Sequence, residues 1–211
     1  ATIDNGTAAL SIAASSIGGN LTVTAGDSIT DSGVITVSGT ASFTTDTSDK
    51  LITLNSQNAI TGQVTFDTTS TGGDVTLDNG TTAISLGTIA SGAIGGDLTL
   101  LTDADQTISN AITLGGSGAE LSITVDNANS LTVQAALTTN AGAITLSADD
   151  DVIFTAAGDL TTANGNITVS ADDDSTSDAA SGGALTMVDG TVFNSSSGTI
   201  TASADEDITI G

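Results

Sequence analysis

The sequence predicts an all-β fold, a parallel β-solenoid built from coils of about 23 residues with three short strands each. Three observations predict it. An apolar–Thr–apolar triplet returns in fixed register, a glycine stands two residues ahead of most of those triplets, and large side chains are nearly absent.

The triplets are Leu21-Thr22-Val23, Ile52-Thr53-Leu54, Val75-Thr76-Leu77, Leu98-Thr99-Leu100, Leu121-Ser122-Ile123, Ile144-Thr145-Leu146, Ile167-Thr168-Val169 and Ile200-Thr201-Ala202. From Ile52 to Ile167 every step is 23 residues, and the two flanking steps are 31 and 33. Period-two alternation marks a strand with one buried face. Gly19, Gly73, Gly96, Gly142, Gly165 and Gly198 precede six of the eight, with Lys50 and Ala119 in the other two places. A glycine there implies a corner needing positive φ or close backbone approach. In unit 143–165, Val152–Phe154 and Leu160–Thr162 supply two further strands, which completes a triangular coil.

Stacking such coils at about 4.8 Å turns Ile52, Val75, Leu98, Leu121, Ile144 and Ile167 into one internal apolar ladder. Leu54, Leu77, Leu100, Ile123, Leu146 and Val169 form its neighbour. With four Phe and no Trp or Tyr, the core must be thin. Frequent Thr, Ser, Gly and Asp without a 3.6-residue stripe argue against helix. A propeller blade needs about 40 residues, and leucine-rich repeats carry a Leu/Asn signature that is missing here. An irregular β-sandwich would not hold the register.

The chain reads as one domain, 1–211, with coils at 20–50, 51–73, 74–96, 97–119, 120–142, 143–165 and 166–198. Residues 199–211 and 1–19 together make one more long coil, split across the termini. Asp4-Asn5-Gly6-Thr7 echoes Asp78-Asn79-Gly80-Thr81. No polar capping helix or Pro closes either end, and open β-edges recruit other chains. Head-to-tail continuation is expected, as covalent tandem modules or a non-covalent filament; a fragment cut from a longer chain is the other reading.

The formal charge is −24, from 25 acidic residues against one cation, Lys50. Such a surface repels nucleic acid and anionic membrane. No apolar run is long enough to insert as a helix. The acids gather at the corner after the first strand: Asp103 and Asp105, Asp126, Asp149 to Asp151, Asp172 to Asp174, and Asp205 to Asp207. Like charges one coil apart oppose folding, and Ca²⁺ would relieve them, since it takes six to eight oxygens in flexible geometry. The candidate structural metal ligands are Asp103, Asp105, Asp126, Asp149, Asp151, Asp172, Asp174, Asp205 and Asp207. No complete Ca²⁺-loop consensus occurs, so a solvated ridge screened by salt stays open beside it.

With no His, Cys, Arg or Tyr, Ser–His and Cys–His nucleophiles are excluded, and no enzyme is expected. The outward column Thr22, Thr53, Thr76, Thr99, Ser122, Thr145, Thr168 and Thr201 suits a solvent-facing strand better than an ice- or sugar-binding array.

The segments 19–30, 142–154 and 165–174 resemble the repeats of filamentous haemagglutinin-like exoproteins, large bacterial surface proteins. The resemblance implies a right-handed β-helix shaft at the extracellular cell surface. It brings no Arg-Gly-Asp, amino-terminal secretion domain or translocator barrel. The expected function is a structural shaft or filament module. An adhesin segment that binds carbohydrate or a cell surface through its longer coils, plausibly including 172–183, is the alternative.

Overall fold

A computed structural model describes residues 1–69, 72–172 and 182–211. Short parallel strands stack into a three-walled solenoid, with no helix among these residues. The first wall is a nine-stranded parallel sheet. It runs from Leu10–Ile12 and Ile29–Asp31 through Ile52–Leu54, Val75–Asp78, Leu98–Thr102, Leu121–Val125, Ile144–Ala148 and Ile167–Ala171 to Ile200–Ser203. Nine passages along this wall give about nine coils.

The second and third walls are each made of two shorter sheets. The second holds Ser15–Ile17, Ile35–Val37 and Ala59–Ile60, then Gln106–Ile108, Leu131–Val133, Val152–Phe154, Leu185–Met187 and Ile208–Ile210. The third holds Thr2–Asp4, Leu21–Ala25, Ala41–Thr45 and Val64–Asp67, then Ile112–Ser117, Leu137–Asn140, Leu160–Thr162 and Phe193–Asn194. The break in both falls in the fourth coil. Between Asn79 and Asp97 strand pairing is reduced to isolated bridges, including Val64 to Leu86 and Ile89 to Ile112.

The predicted ladders stand as drawn. Ile52, Val75, Leu98, Leu121, Ile144 and Ile167 lie in register, and Ile29 and Ile200 extend the column. Nearly every member is fully buried. Burying one such aliphatic side chain contributes about 1.5–3 kcal/mol, too little for a lone coil, so stability accumulates between neighbours. Phe43, Phe66 and Phe154 are buried in the core and Phe193 packs against it, making two pairs. Phe43 stacks on Phe66 at 5.9 Å and Phe154 meets Phe193 edge-on at 4.8 Å.

Two coil assignments change. Residues 20–50 are not one 31-residue coil: Leu21-Thr22-Val23 pairs with Thr2–Asp4 and Ala41–Thr45 in the third wall. Ile29, not Leu21, lies beside Ile52. Thr30 therefore takes the place expected of Thr22 in the outward Thr column. Residues 1–19 likewise contain strands of all three walls, so joined to 199–211 they exceed a single turn. Gly-x-apolar-Thr-apolar encodes a corner and a strand, but any of the three walls can use it.

The corner glycines serve close approach. A Cβ at Gly142 would fall on the carbonyl oxygen of Ala119, one at Gly165 on that of Gly142, and one at Gly198 on that of Gly165.

Candidate functional site

The acidic corner between the first and second walls is the most charged feature of the shaft, and its backbone explains its shape. Each coil bonds to the one before it: Asp103 N–H donates to Gly80 O, Asp126 N–H to Thr102 O, Asp149 N–H to Val125 O and Asp172 N–H to Asp150 O. Asp207 O accepts from Leu185 N–H, and Asp205 is exposed. Asp174 lies outside the described residues. Three predicted ligands have carboxylates engaged by backbone N–H groups: Asp105 by Ser130 at 3.0 Å, Asp149 by Asn127 at 2.6 Å and Asp151 by Ala184 at 2.9 Å. Ser130 Oγ also donates to Asp150 at 2.8 Å. Among the described residues, no three acidic side chains gather as a metal-holding group.

Two of these contacts belong to a wider rule. The residue just before a strand gives its own carbonyl to the preceding coil's ladder, as in Val75 N–H to Asp97 O and Leu98 N–H to Glu120 O. Its N–H needs another acceptor, because buried or ladder-edge amides are costly to leave unpaired. The pre-strand side chain of the preceding coil supplies it. On the first wall, Asp97 N–H donates to Asp74 and Glu120 N–H to Asp97, while Leu51 N–H donates to Ser28 Oγ and Thr199 N–H to Asn166. On the third wall Thr40 N–H donates to Asn20 and Val192 N–H to Asp159. Asp105 and Asp151 do the same on the second. Five aspartates, Asp74, Asp97, Asp105, Asp151 and Asp159, thus extend the backbone ladder around its corners.

The sequence reading missed a column of buried amides on the second wall. Asn58, Asn79 and Gln106 are at most 2% exposed and lie in three successive coils. Ile35 N–H donates to Asn58 Oδ1 at 2.8 Å. Asn79 and Gln106 each make two-way pairs with a backbone unit of the preceding coil, Asn79 with Ile60 at 2.9 and 3.1 Å and Gln106 with Ile84 at 2.7 and 2.8 Å. A carboxamide carries the same donor and acceptor as a peptide unit, so it replaces a missing strand segment. The signal was present: Gln106 occupies an inward position of its strand, opposite Leu131.

Beside Gln106 an open groove of about 300 Å³ is lined by Thr61, Ser85, Asp105, Ser109 and Asn110, among others. Lys50 meets Asp27 at 3.2 Å. The Ser28 N–H, and after it the Lys50 ammonium, hold the Asp27 carboxyl below its ordinary value.

Parallel strands in register, coil after coil, define this chain as a β-solenoid repeat protein. A family model described as repeats of unknown function (DUF5649) matches residues 1–67, the stretch that ends with the third-wall strand Val64–Asp67. No curated protein and no solved structure matches the chain.

Proposed function

We propose that this chain is a structural shaft, one module in a longer extracellular stack of like coils at a bacterial surface. The observation that carries the reading is an unbroken first wall of nine parallel strands over one continuous core. Such a stack spaces its two ends by coil number and resists bending, because each coil is hydrogen-bonded to its neighbours on three sides. The likeness to haemagglutinin-type exoproteins supports the extracellular setting. Ca²⁺ along the acidic corner would stiffen the shaft further, and a Ca²⁺ titration followed by thermal melting tests that addition.

End-to-end energy transfer between dyes at the two ends tests the shaft. Deleting residues 98–143, two repeats in register, should shorten a narrow distance distribution by about 10 Å. A broad distribution indifferent to the deletion would reject the reading. Antibody access to a tag on intact cells checks the location.

The polar groove beside Gln106 favours a second reading, an adhesin contact for a sugar. Glycan-array binding that is lost in Asp105→Ala and Asn110→Ala would move the assignment there.

A further inference from the structure

The sequence contains three Asn-Gly pairs, Asn5-Gly6, Asn79-Gly80 and Asn164-Gly165. Asparagine followed by glycine is especially prone to lose its side-chain amide, because no side chain shields the next main-chain nitrogen. That nitrogen gives up its proton and attacks the asparagine Cγ. The N–Cγ bond forms, the Cγ–Nδ2 bond breaks and ammonia leaves. Water then opens the resulting succinimide at either carbonyl, giving aspartate or isoaspartate, and isoaspartate carries an extra carbon in the main chain.

In all three pairs a side-chain oxygen of the same turn holds the glycine N–H. Gly6 N–H donates to Asp4 Oδ1 at 2.9 Å, Gly80 N–H to Asp78 Oδ1 at 2.9 Å, and Gly165 N–H to Thr162 Oγ1 at 3.0 Å. The first two repeat one motif, Asp-Asn-Gly, and a carboxylate beside the nitrogen opposes the amide anion that attack requires. The third uses a hydroxyl, which accepts and donates at once. Thr162 Oγ1 donates to Gly142 O at 2.9 Å while it accepts from Gly165, and Thr162 is 1% exposed.

The three asparagines differ in their access to water. Asn79 is fully buried, and its Nδ2 donates to Ile60 O and Thr82 O. Asn5 Nδ2 donates to Ala9 O at 2.7 Å. Asn164 is exposed, and its Oδ1 accepts from Ser197 Oγ at 2.7 Å. Damage would also be greatest at Asn164. Gly165 belongs to the column of corner glycines, where a Cβ on it would fall on Gly142 O and a Cβ on Gly198 would fall on Gly165 O. An extra main-chain carbon at position 164 has no room in that corner.

We propose that Asn164 is a latent deamidation site, locked in the folded coil by the Thr162 hydroxyl and released when that corner opens. The lock is independent of what the shaft spans or binds.

Incubation in warm, mildly alkaline buffer followed by peptide mapping tests the lock, with aspartate and isoaspartate counted at positions 5, 79 and 164. In the folded chain Asn164 should convert at least about tenfold more slowly than in the same chain unfolded in urea. Thr162→Val, shown to be folded by circular dichroism, should raise conversion at Asn164 about tenfold and leave Asn5 and Asn79 at their wild-type rates. Thr162→Ser restores the oxygen and should return Asn164 to the slow rate. Equal rates at Asn164 in folded and unfolded wild type overturn the lock, and that comparison needs no variant. So does a folded Thr162→Val chain whose Asn164 stays as slow as wild type. Acceleration of all three sites together in that folded variant would mean general opening of the coils, and refutes a lock specific to Thr162.

Discussion

The coils before the fourth and the coils after it use the same sequence unit at different corners. In residues 1–67, the close-approach glycines are Gly39 and Gly62, which lead into third-wall strands; a Cβ at Gly39 would strike the backbone of Gly19, and one at Gly62 would strike Gly39 O. From Gly73 onward, the column is Gly73, Gly96, Gly142, Gly165 and Gly198, leading into the first wall, with Ala119 as its one larger member. Thr139, Thr162 and Ser195 support this later column by donating hydroxyls to the carbonyls of Gly142 and Gly198. The tight corner has moved by one wall. The fourth coil absorbs the change, and there Asn79 and Gln106 stand in for strand backbone. A solenoid can therefore shift its tightest corner without interrupting its first wall, provided side-chain amides bridge the second wall and isolated backbone bridges carry the third.

That comparison can be broken most severely at the seam. Gln106→Leu removes both partners of the buried Ile84 peptide unit and should cost about 3 kcal/mol, read by chemical denaturation. The same substitution at the exposed Gln63 should cost little. Next comes the corner column. Gly165→Ala should cost about 2 kcal/mol, because its methyl meets a backbone carbonyl of the preceding coil. Gly18→Ala, where a Cβ meets nothing within 4 Å, should be silent. Equal losses at the two sites would remove the distinction between a packed corner and an open one.

The pre-strand acids sharpen the contrast between charge and hydrogen bonding. Asp97→Ala should lose about 1 kcal/mol through the orphaned Glu120 N–H, whereas Asp97→Asn keeps the acceptor and relieves repulsion. If Asn proves as damaging as Ala, the carboxylate matters for its charge. In the earlier coils, the buried Thr45 hydroxyl makes no hydrogen bond, so Thr45→Val should raise stability by about 1 kcal/mol. The smallest effect is at Asp27. Its lowered carboxyl contributes above the ordinary carboxylate range, and the contribution disappears as pH falls through the depressed value. Lys50→Met should weaken that acid dependence while the Ser28 N–H preserves the rest, and salt should act in the same direction because the pair is partly exposed.

Residue identity by itself determined the strand period, the coil length from Ile52 to Ile167 and the inward ladders there, because alternation of apolar and hydroxyl side chains is a local property of a half-buried strand. It also located the acidic corner and the glycines that precede strands. It did not determine which wall a triplet enters. Leu21-Thr22-Val23 and Ile52-Thr53-Leu54 carry the same pattern, and only their ladder partners separate them: Ala41–Thr45 for the first, Val75–Asp78 for the second. Nor did local pattern reveal why so many corners are acidic. The carboxylate of Asp97 finds its purpose in the N–H of Glu120, 23 residues away, and the amide of Gln106 in the backbone of Ile84, 22 residues back. Those partners exist only once coils are stacked, because pairing between successive turns, and not pattern within one turn, decides where each unsatisfied backbone group lies.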